Sequence, residues 1–280
     1  MSNNSAGLAG PNIILEGDSG TGKTYAIGTL VDTGVPVSFL ALEPGMESLF
    51  GYWTDRGKPI PLNLSWHQAK PPETDFSTLI DAATKVNTYS FDALTKITDS
   101  NRNKYNQFIA ILTALNNFVD DRTGEVLGPV NKWPPERFLV IDGLVGINRA
   151  AMDLVAGGKP VKSMTDWGIA QDQIERILRS LTQDCRCGFV LIAHVEREKD
   201  EISGGTKITM STLGKALAPK LPIMFSDVIY SYREGKEFWW STANPNVALK
   251  TRNLEIADKI RPDFGQILTK WKKRAEESSK

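Results

Sequence analysis

The chain has 280 residues, 41% hydrophobic and 24% charged, which suits one large or two small cored domains and excludes a wholly disordered or collagen-like chain. Its 33 basic residues balance 33 acidic ones, so net charge gives no argument for nucleic acid and leaves only local patches. Two cysteines, Cys185 and Cys187, and two histidines, His67 and His194, are too few for a disulfide scaffold, a four-cysteine zinc site or a histidine-rich metal site, and they fit a reducing interior.

No early segment has the basic, apolar, small-residue order of a secretory signal. No apolar run approaches the roughly 20 residues needed to cross a bilayer. The expected location is a cytoplasm, with no membrane role. After a polar lead-in from Ser2 to Pro11, the run Ile13, Ile14, Leu15 followed by the glycine-rich Glu16 to Thr24 and a helix-compatible Lys23 to Leu30 predicts strand, phosphate loop and helix. Val37 to Leu42 predicts a second buried strand ending at Glu43, and Leu62 to His67 a weaker third.

From Asp75 to Asp121 the pattern is helical, with Phe76 to Val86 amphipathic and Tyr105, Phe108, Ile109, Leu112, Leu115 and Phe118 stepping by threes and fours along one predicted face. Gly124 to Pro135 is expected as loop, and Phe138 to Ile141 as a strand ending at Asp142. Asp166 to Thr182 predicts a helix buried through Ile174, Ile177, Leu178 and Leu181, with a strand at Phe189 to Val195. Glu196 to Leu213 is charged and glycine-containing and is expected to be mobile. Asp227 to Arg233 and Glu237 to Thr242 predict a hairpin around Glu234-Gly235-Lys236, Ala248 to Thr251 a last edge strand, and Lys270 to Lys280 a charged tail, frayed or helical. Strands alternating with helices over the first two thirds imply an α/β sheet with helices on its faces.

The residues Gly17-Asp18-Ser19-Gly20-Thr21-Gly22-Lys23-Thr24 fit the whole eight-position phosphate-loop pattern between an apolar strand and a helix. The glycines let main-chain N–H groups turn inward around a phosphate, and the helix N-terminus adds positive potential. Lys23 would reach the β- and γ-phosphates of ATP, and Thr24 would ligate Mg²⁺ through its hydroxyl. The strand Phe138-Leu139-Val140-Ile141 must be central to bury four apolar residues, so Asp142 emerges at the carboxyl edge as the metal-side acid. Glu43, at the end of another strand on that edge, is the candidate for directing water; capping the following turn is its alternative role. Gly143 excludes a water-directing side chain immediately after Asp142. His194 ends the strand Phe189 to Ala193, where it could sense a γ-phosphate and pass the change to the loop that follows, or be an inert strand end. His67 and the Cys185-x-Cys187 pair read as structural.

These motifs resemble the RecA-type recombinases and hexameric helicase motors, and most closely the small phage RecA-like nucleotide-binding proteins associated with single-strand annealing. The likeness spans roughly Asn12 to Asn253 through short motifs. It implies an α/β RecA-like P-loop core over 1–253, with a mostly parallel sheet, flanking helices and a C-terminal antiparallel hairpin. Within it, 75–135 is expected as a helical insertion or interface, and 254–280 as a short charged tail. The resemblance assigns Glu43 as catalytic glutamate, Asp142 as metal-side aspartate and His194 as polar sensor. Leu249-Lys250-Thr251-Arg252-Asn253 resembles the lysine-x-arginine motif that reaches a neighbouring subunit's nucleotide, where two cations would stabilise the transferred phosphoryl group. Read without the resemblance, Lys250 and Arg252 are as well explained as solvated strand charges.

The family binds DNA through two loops. Gly157 to Thr165, with Lys159 and Lys162, matches the first in position, and Glu196 to Leu213, with Arg197, Lys199 and Lys207, matches the second. Their cations can meet phosphates, while Glu196, Glu198, Asp200 and Glu201 dilute the charge; a lid without DNA contact is the other reading of that loop. Unlike the recombinases, this chain is expected to have no amino-terminal oligomerisation domain before Asn12 and only a short tail after Asn253. The expected activity is therefore a pared-down Mg-dependent ATPase, working between subunits of a ring or filament and coupled to single-stranded DNA binding, annealing or recombination in a cytoplasm, the host's for a phage-encoded chain. A single-stranded-DNA-binding or replication protein is an expected further partner. An ATP-regulated loader or scaffold and a small-molecule kinase are the competing readings. Tyr230, Tyr232, Trp239 and Trp240 alternate along strands, so half of them are expected in the core and base stacking is a minor reading. Lys270, Lys272, Lys273 and Arg274 are expected as a solvated basic patch.

Overall fold

The structure is a computed structural model that describes residues 7–71, 75–98, 104–199 and 204–278. In chain order its first elements are β1 (Asn12–Gly17), α1 (Lys23–Asp32), β2 (Val37–Ala41), α2 (Met46–Thr54), β3 (Leu64–Gln68), α3 (Phe76–Thr88), α4 (Phe91–Thr95) and α5 (Gln107–Asn116). Next come β4 (Phe118–Val119), β5 (Val126–Gly128), β6 (Phe138–Asp142), α6 (Leu144–Ala156), α7 (Met164–Arg179), β7 (Gly188–Ala193), β8 (Val195–Lys199) and β9 (Thr206–Met210). The chain continues through α8 (Leu221–Met224), β10 (Asp227–Glu234), β11 (Glu237–Ser241) and α9 (Phe264–Ser278).

A seven-stranded sheet runs β11-β10-β1-β7-β6-β2-β3. Every pairing in it is parallel except the terminal hairpin β10–β11. The five residues of β2 and of β6 are all buried, as strands covered on both faces require. Alternation sorts the side chains: Ile13 and Leu15 enter the core shared with α1, α2 and α9, whereas Ile14, Leu139 and Ile141 enter the one shared with α5, α6 and α7. Each such fully buried aliphatic side chain stabilises the fold by roughly 1.5–3 kcal/mol. Helices on both faces of a mostly parallel sheet, closed at one edge by an antiparallel hairpin, form the RecA-like core that the resemblance implies. No described helix is long and apolar enough to cross a membrane.

The structure departs from the expected elements in five places. The buried face of α5 is Phe108, Ile111 and Ala114, while Ile109 and Leu112 are 54% and 43% exposed: the helix is rotated from the expected face, and the chain leaves it before Phe118, which enters β4. The segment after His194 is not simply loop, since β8 and β9 pair antiparallel from Val195↔Met210 to Lys199↔Thr206; Asp200 and Glu201 lie outside the described residues. The first DNA-loop candidate is shorter than expected, because Ser163 and Asp166 form a reciprocal capping box that starts α7 at Met164. Ala248 to Thr251 gives a single bridge, Val228↔Lys250, instead of a strand. Finally, the C-terminal segment is integrated into the core: Phe264, Ile267, Leu268 and Trp271 are buried, and the Trp271 indole N–H donates to Ala9 O at 2.8 Å. In the 75–135 region, α3 and α4 bury no residue, whereas Phe108, Phe118, Val130 and Trp133 join the core.

Candidate nucleotide site

The loop from Gly17 to Lys23 leaves the carboxyl end of β1 and enters α1. A Cβ on Gly17 would lie 2.1 Å from Ser231 O, so only glycine allows β10 to come this close. Gly22 caps α1 at φ 81°, the left-handed turn that aims the first free N–H groups of the helix back into the loop. Thr21 Oγ1 donates to Asp18 O at 2.8 Å, and Ser231 Oγ donates to Thr21 O at 2.9 Å, which fixes the loop against the sheet. Lys23 is buried and curls under the loop, its Nζ donating to Gly17 O at 2.8 Å and Asp18 O at 2.6 Å. Burial pushes its ammonium down to about 8, against the pull of Asp142, Asp18 and Glu43.

At the second residue of α1, Thr24 Oγ1 donates to Asp142 Oδ2 at 2.8 Å. Burial raises the Asp142 carboxyl to about 6, opposed by the Thr24 hydrogen bond. The register Ala41↔Asp142 between β2 and β6 then sets Glu43 beside Asp142 at the same sheet edge. Glu43 Oε1 accepts the Gly146 N–H at 2.8 Å, and Oε2 lies 3.6 Å from His194 Nε2. His194 holds the Glu43 carboxyl below its ordinary value, with desolvation working the other way. A carboxylate held low is ionised at neutral pH and aims a water more effectively than it strips its proton. The hydroxyl of Thr24 and the carboxylate of Asp142 are hard oxygen donors that fit Mg²⁺, whose remaining positions phosphate oxygens and water would fill. Among the described residues no group of three or more His, Cys, Asp and Glu could hold a metal ion by itself.

The hairpin β8–β9 is tied directly to this loop: Arg197 grips Asp18 through two hydrogen bonds of 2.6 and 2.5 Å, and that contact holds the Asp18 carboxyl low. Arg197, read from the sequence as a DNA contact, therefore reaches the phosphate loop here. Beside the loop opens a pocket of about 630 Å³ lined by Asp18, Ser19, Gly20, Thr21, Tyr230, Tyr232 and Asp258. The Tyr230 and Tyr232 rings stack with centroids 5.9 Å apart and planes 10° apart. Sequence reasoning gave this pair little weight. Its period-two spacing was legible, but the parallel pairing of β10 with β1, which carries the pair to the phosphate loop, was not.

The other sequence candidates are dispersed. Lys159 pairs with Asp166 at 3.0 Å, inside the cap of α7. Lys162, Lys199 and Lys207 are exposed. Lys250 turns inward, its Nζ donating to Phe225 O at 2.7 Å and Pro222 O at 3.3 Å; Arg252 is exposed, its backbone N–H donating to Asp227 Oδ1 at 2.8 Å. His67 Nδ1 lies 2.8 Å from Asp121 Oδ1, a tie between β3 and the turn that follows β4. Cys185 and Cys187 are buried free thiols.

No known protein-family profile matches the sequence, and no curated protein does. Solved structures do match, 64 chains among them, and three are given as examples. The assembled type III secretion ATPase EscN of enteropathogenic E. coli, in complex with its central stalk EscO, is 14% identical over 88% of this chain and 48% of its own, with a TM-score of 0.43. The RadB recombinase is 12% identical over 90% and 86%, with a TM-score of 0.40. The flagellar accessory protein FlaH of Methanocaldococcus jannaschii is 10% identical over 83% and 76%, with a TM-score of 0.32. The chain thus spans about half the length of the first of these.

Proposed function

We propose that this chain binds Mg·ATP at Gly17–Thr24 and hydrolyses it, and that the nucleotide state governs the hold of the β8–β9 hairpin on single-stranded DNA, in annealing or recombination. The reading is carried by the Thr24–Asp142 hydrogen bond beneath the phosphate loop, with Glu43 one strand away at the same edge. In this reading, main-chain N–H groups of Asp18 to Thr24 cradle the phosphates, Lys23 leaves its carbonyl partners for the β- and γ-oxygens, and Thr24 with Asp142 completes the metal shell. Glu43 aims the attacking water. His194, touching Glu43 and adjoining β8, carries the loss of the γ-phosphate into the hairpin. The Arg197–Asp18 pair couples the same hairpin to the loop from the other side. In a ring or filament, exposed Arg252 would reach a neighbouring copy's nucleotide; Lys250 would first have to give up its two carbonyl partners.

The deciding experiment is a steady-state assay of ATP consumed and inorganic phosphate released, with and without single-stranded DNA. The expected result is Mg-dependent release, one phosphate per ATP, raised several-fold by single strands and not by duplex. A rate indifferent to DNA would sink the coupling and favour the loader, and ATP consumed without phosphate release would favour phosphoryl transfer to a metabolite. Glu43→Gln is expected to lower kcat about a hundredfold, the lower end for loss of a positioned general base, with Mg·ATP affinity unchanged. Undiminished turnover in that variant would remove Glu43 from the chemistry.

A further inference from the structure

A second cleft, of about 710 Å³, opens on the face of the sheet away from α1, among α6, α7, β9 and the segment after it. That size lies within the roughly 300–1,000 Å³ of small-molecule sites. Its floor is built from two polar side chains that the nucleotide site does not use. Glu16, at the carboxyl end of β1, is 1% exposed, and Asn148, on α6, is 7% exposed. Glu16 Oε1 and Asn148 Oδ1 are buried atoms without a hydrogen-bond partner among the described residues. The Asn148 amide is oriented by its surroundings: Nδ2 donates to Ser211 O at 3.2 Å, and because that carbonyl can only accept, Oδ1 is the atom left open. An orphaned buried acceptor costs free energy unless something meets it, and two of them line one cleft.

The chemistry they ask for is specific. Burial raises the Glu16 carboxyl to about 8, so at neutral pH it offers one O–H donor and one C=O acceptor. The Asn148 carbonyl adds a second acceptor. A ligand satisfying all three presents an acceptor beside N–H donors that include an amino group: the ring nitrogen and amino group of cytosine or adenine, or the O6, N1–H and amino group of guanine. Thymine has one N–H flanked by two carbonyl oxygens, so one acceptor would face an oxygen. Trp167 and Met152 supply flat and polarisable wall surface. Exposed Arg149, Lys162 and Lys207 stand at the rim, where they can meet phosphates. Of the acids on that wall, Glu198 pairs with Lys215 at 3.1 Å and Glu196 accepts from Ser211 Oγ, while Asp153 lies in the field of Arg149 and Lys162 and takes up part of their charge.

We propose that this cleft seats one unpaired, amino-bearing nucleobase of a single DNA strand, with Glu16 and Asn148 reading its amino edge and Arg149, Lys162 and Lys207 holding the flanking phosphates. The proposal rests on the single-strand reading above and adds base selectivity to it. The test is fluorescence anisotropy of labelled dC12 and dT12 on the full chain with Mg·ATP, together with tryptophan fluorescence on titration with free cytidine and thymidine. The expected result is dC12 bound about tenfold more tightly than dT12, as a good base-edge contact gives. Glu16→Met and Asn148→Ala each abolish the preference, with the salt dependence of binding unchanged because the phosphate-facing cations are untouched. Glu16→Gln, which keeps a donor and an acceptor, retains the preference. Equal wild-type affinity for both strands overturns the cleft assignment and leaves the single-strand reading standing, and so does a preference that survives both Glu16→Met and Asn148→Ala. Failure to bind either strand overturns the single-strand reading. In that case saturable binding of cytidine over thymidine, lost in Glu16→Met, supports the same base chemistry with a free nucleoside as its source, and no response to either overturns the cleft as well.

Discussion

Lys23→Ala is expected to weaken Mg·ATP binding by roughly 10²–10⁴-fold while leaving the protein at least as stable as the wild type at pH 7. The loss follows from two charge-assisted contacts, to the β- and γ-phosphates, at about 1.5–3 kcal/mol each. The stability half of the expectation follows from the sign of the shift. The Lys23 ammonium lies at about 8, below its ordinary 10.5, and burial is the chief cause. A base whose folded value is depressed disfavours folding wherever it is charged in both states. Below pH 8 the full cost, about 3 kcal/mol, is present; it fades between pH 8 and 10.5 and is gone above. Alanine removes that cost and leaves the buried Gly17 carbonyl without this donor, an offset of about 1–3 kcal/mol that does not exceed it. Calorimetric titration with Mg·ATP, paired with thermal unfolding, checks both halves. The wild-type titration at pH 8.5 should also take up protons, because the polyphosphate returns Lys23 toward its ordinary value. That uptake, measured in two buffers of different ionisation enthalpy, should vanish in Lys23→Ala. Unchanged affinity in the variant would remove the phosphate loop from the mechanism.

Why the site was legible at all lies in the local character of its signals. The phosphate loop is a run of eight residues whose glycines and lysine carry their chemistry wherever the strand-loop-helix context holds. Asp142 and Glu43 were reachable because apolar runs as dense as Phe138 to Ile141 and Val37 to Leu42 have to be central strands, and central parallel strands deliver their last residues to one edge. What sequence could not give was register across the sheet and the identity of pairing partners. That Lys250 would spend its ammonium on Phe225 O and Pro222 O, or that Arg197 would turn to Asp18, depends on chain segments 25 and 179 residues away. The face of α5 differs from the expected one for a related reason: Ile109, Leu112 and Ile111 are similarly apolar, and the elements that pack on the helix decide which of them is covered. Glu16 escaped notice because it stands inside the motif's lead-in, where a charged residue reads as the start of a loop and not as the last buried residue of β1.

Glu16 is also the residue from which the steepest pH dependence of stability is expected. Its carboxyl is at about 8 in the fold against an ordinary value of 4.5, with burial as the cause. An acid whose folded value is raised favours folding only while it holds its proton. Below pH 4.5 both states are protonated and there is no penalty. Between 4.5 and 8 the unfolded chain releases the proton that the folded chain retains, so stability falls by about 1.4 kcal/mol per pH unit; above 8 both are ionised and the penalty is constant. Glu16→Gln removes the titration and keeps the shape. Urea unfolding at pH 5, 6, 7 and 8 should therefore show the variant gaining on the wild type by about 4 kcal/mol across that range, whatever the offset between them at pH 5. The comparison isolates one proton, because every other titrating group is common to both proteins. Parallel curves would mean that the carboxyl is solvated or paired in solution, and the floor of the second cleft would then be ionic instead of neutral. An ionised Glu16 offers acceptors alone and would select a base edge with two adjacent N–H donors, guanine in place of cytosine or adenine. The pH profile therefore decides, before any strand is added, whether cytosine and adenine are among the bases the cleft can read.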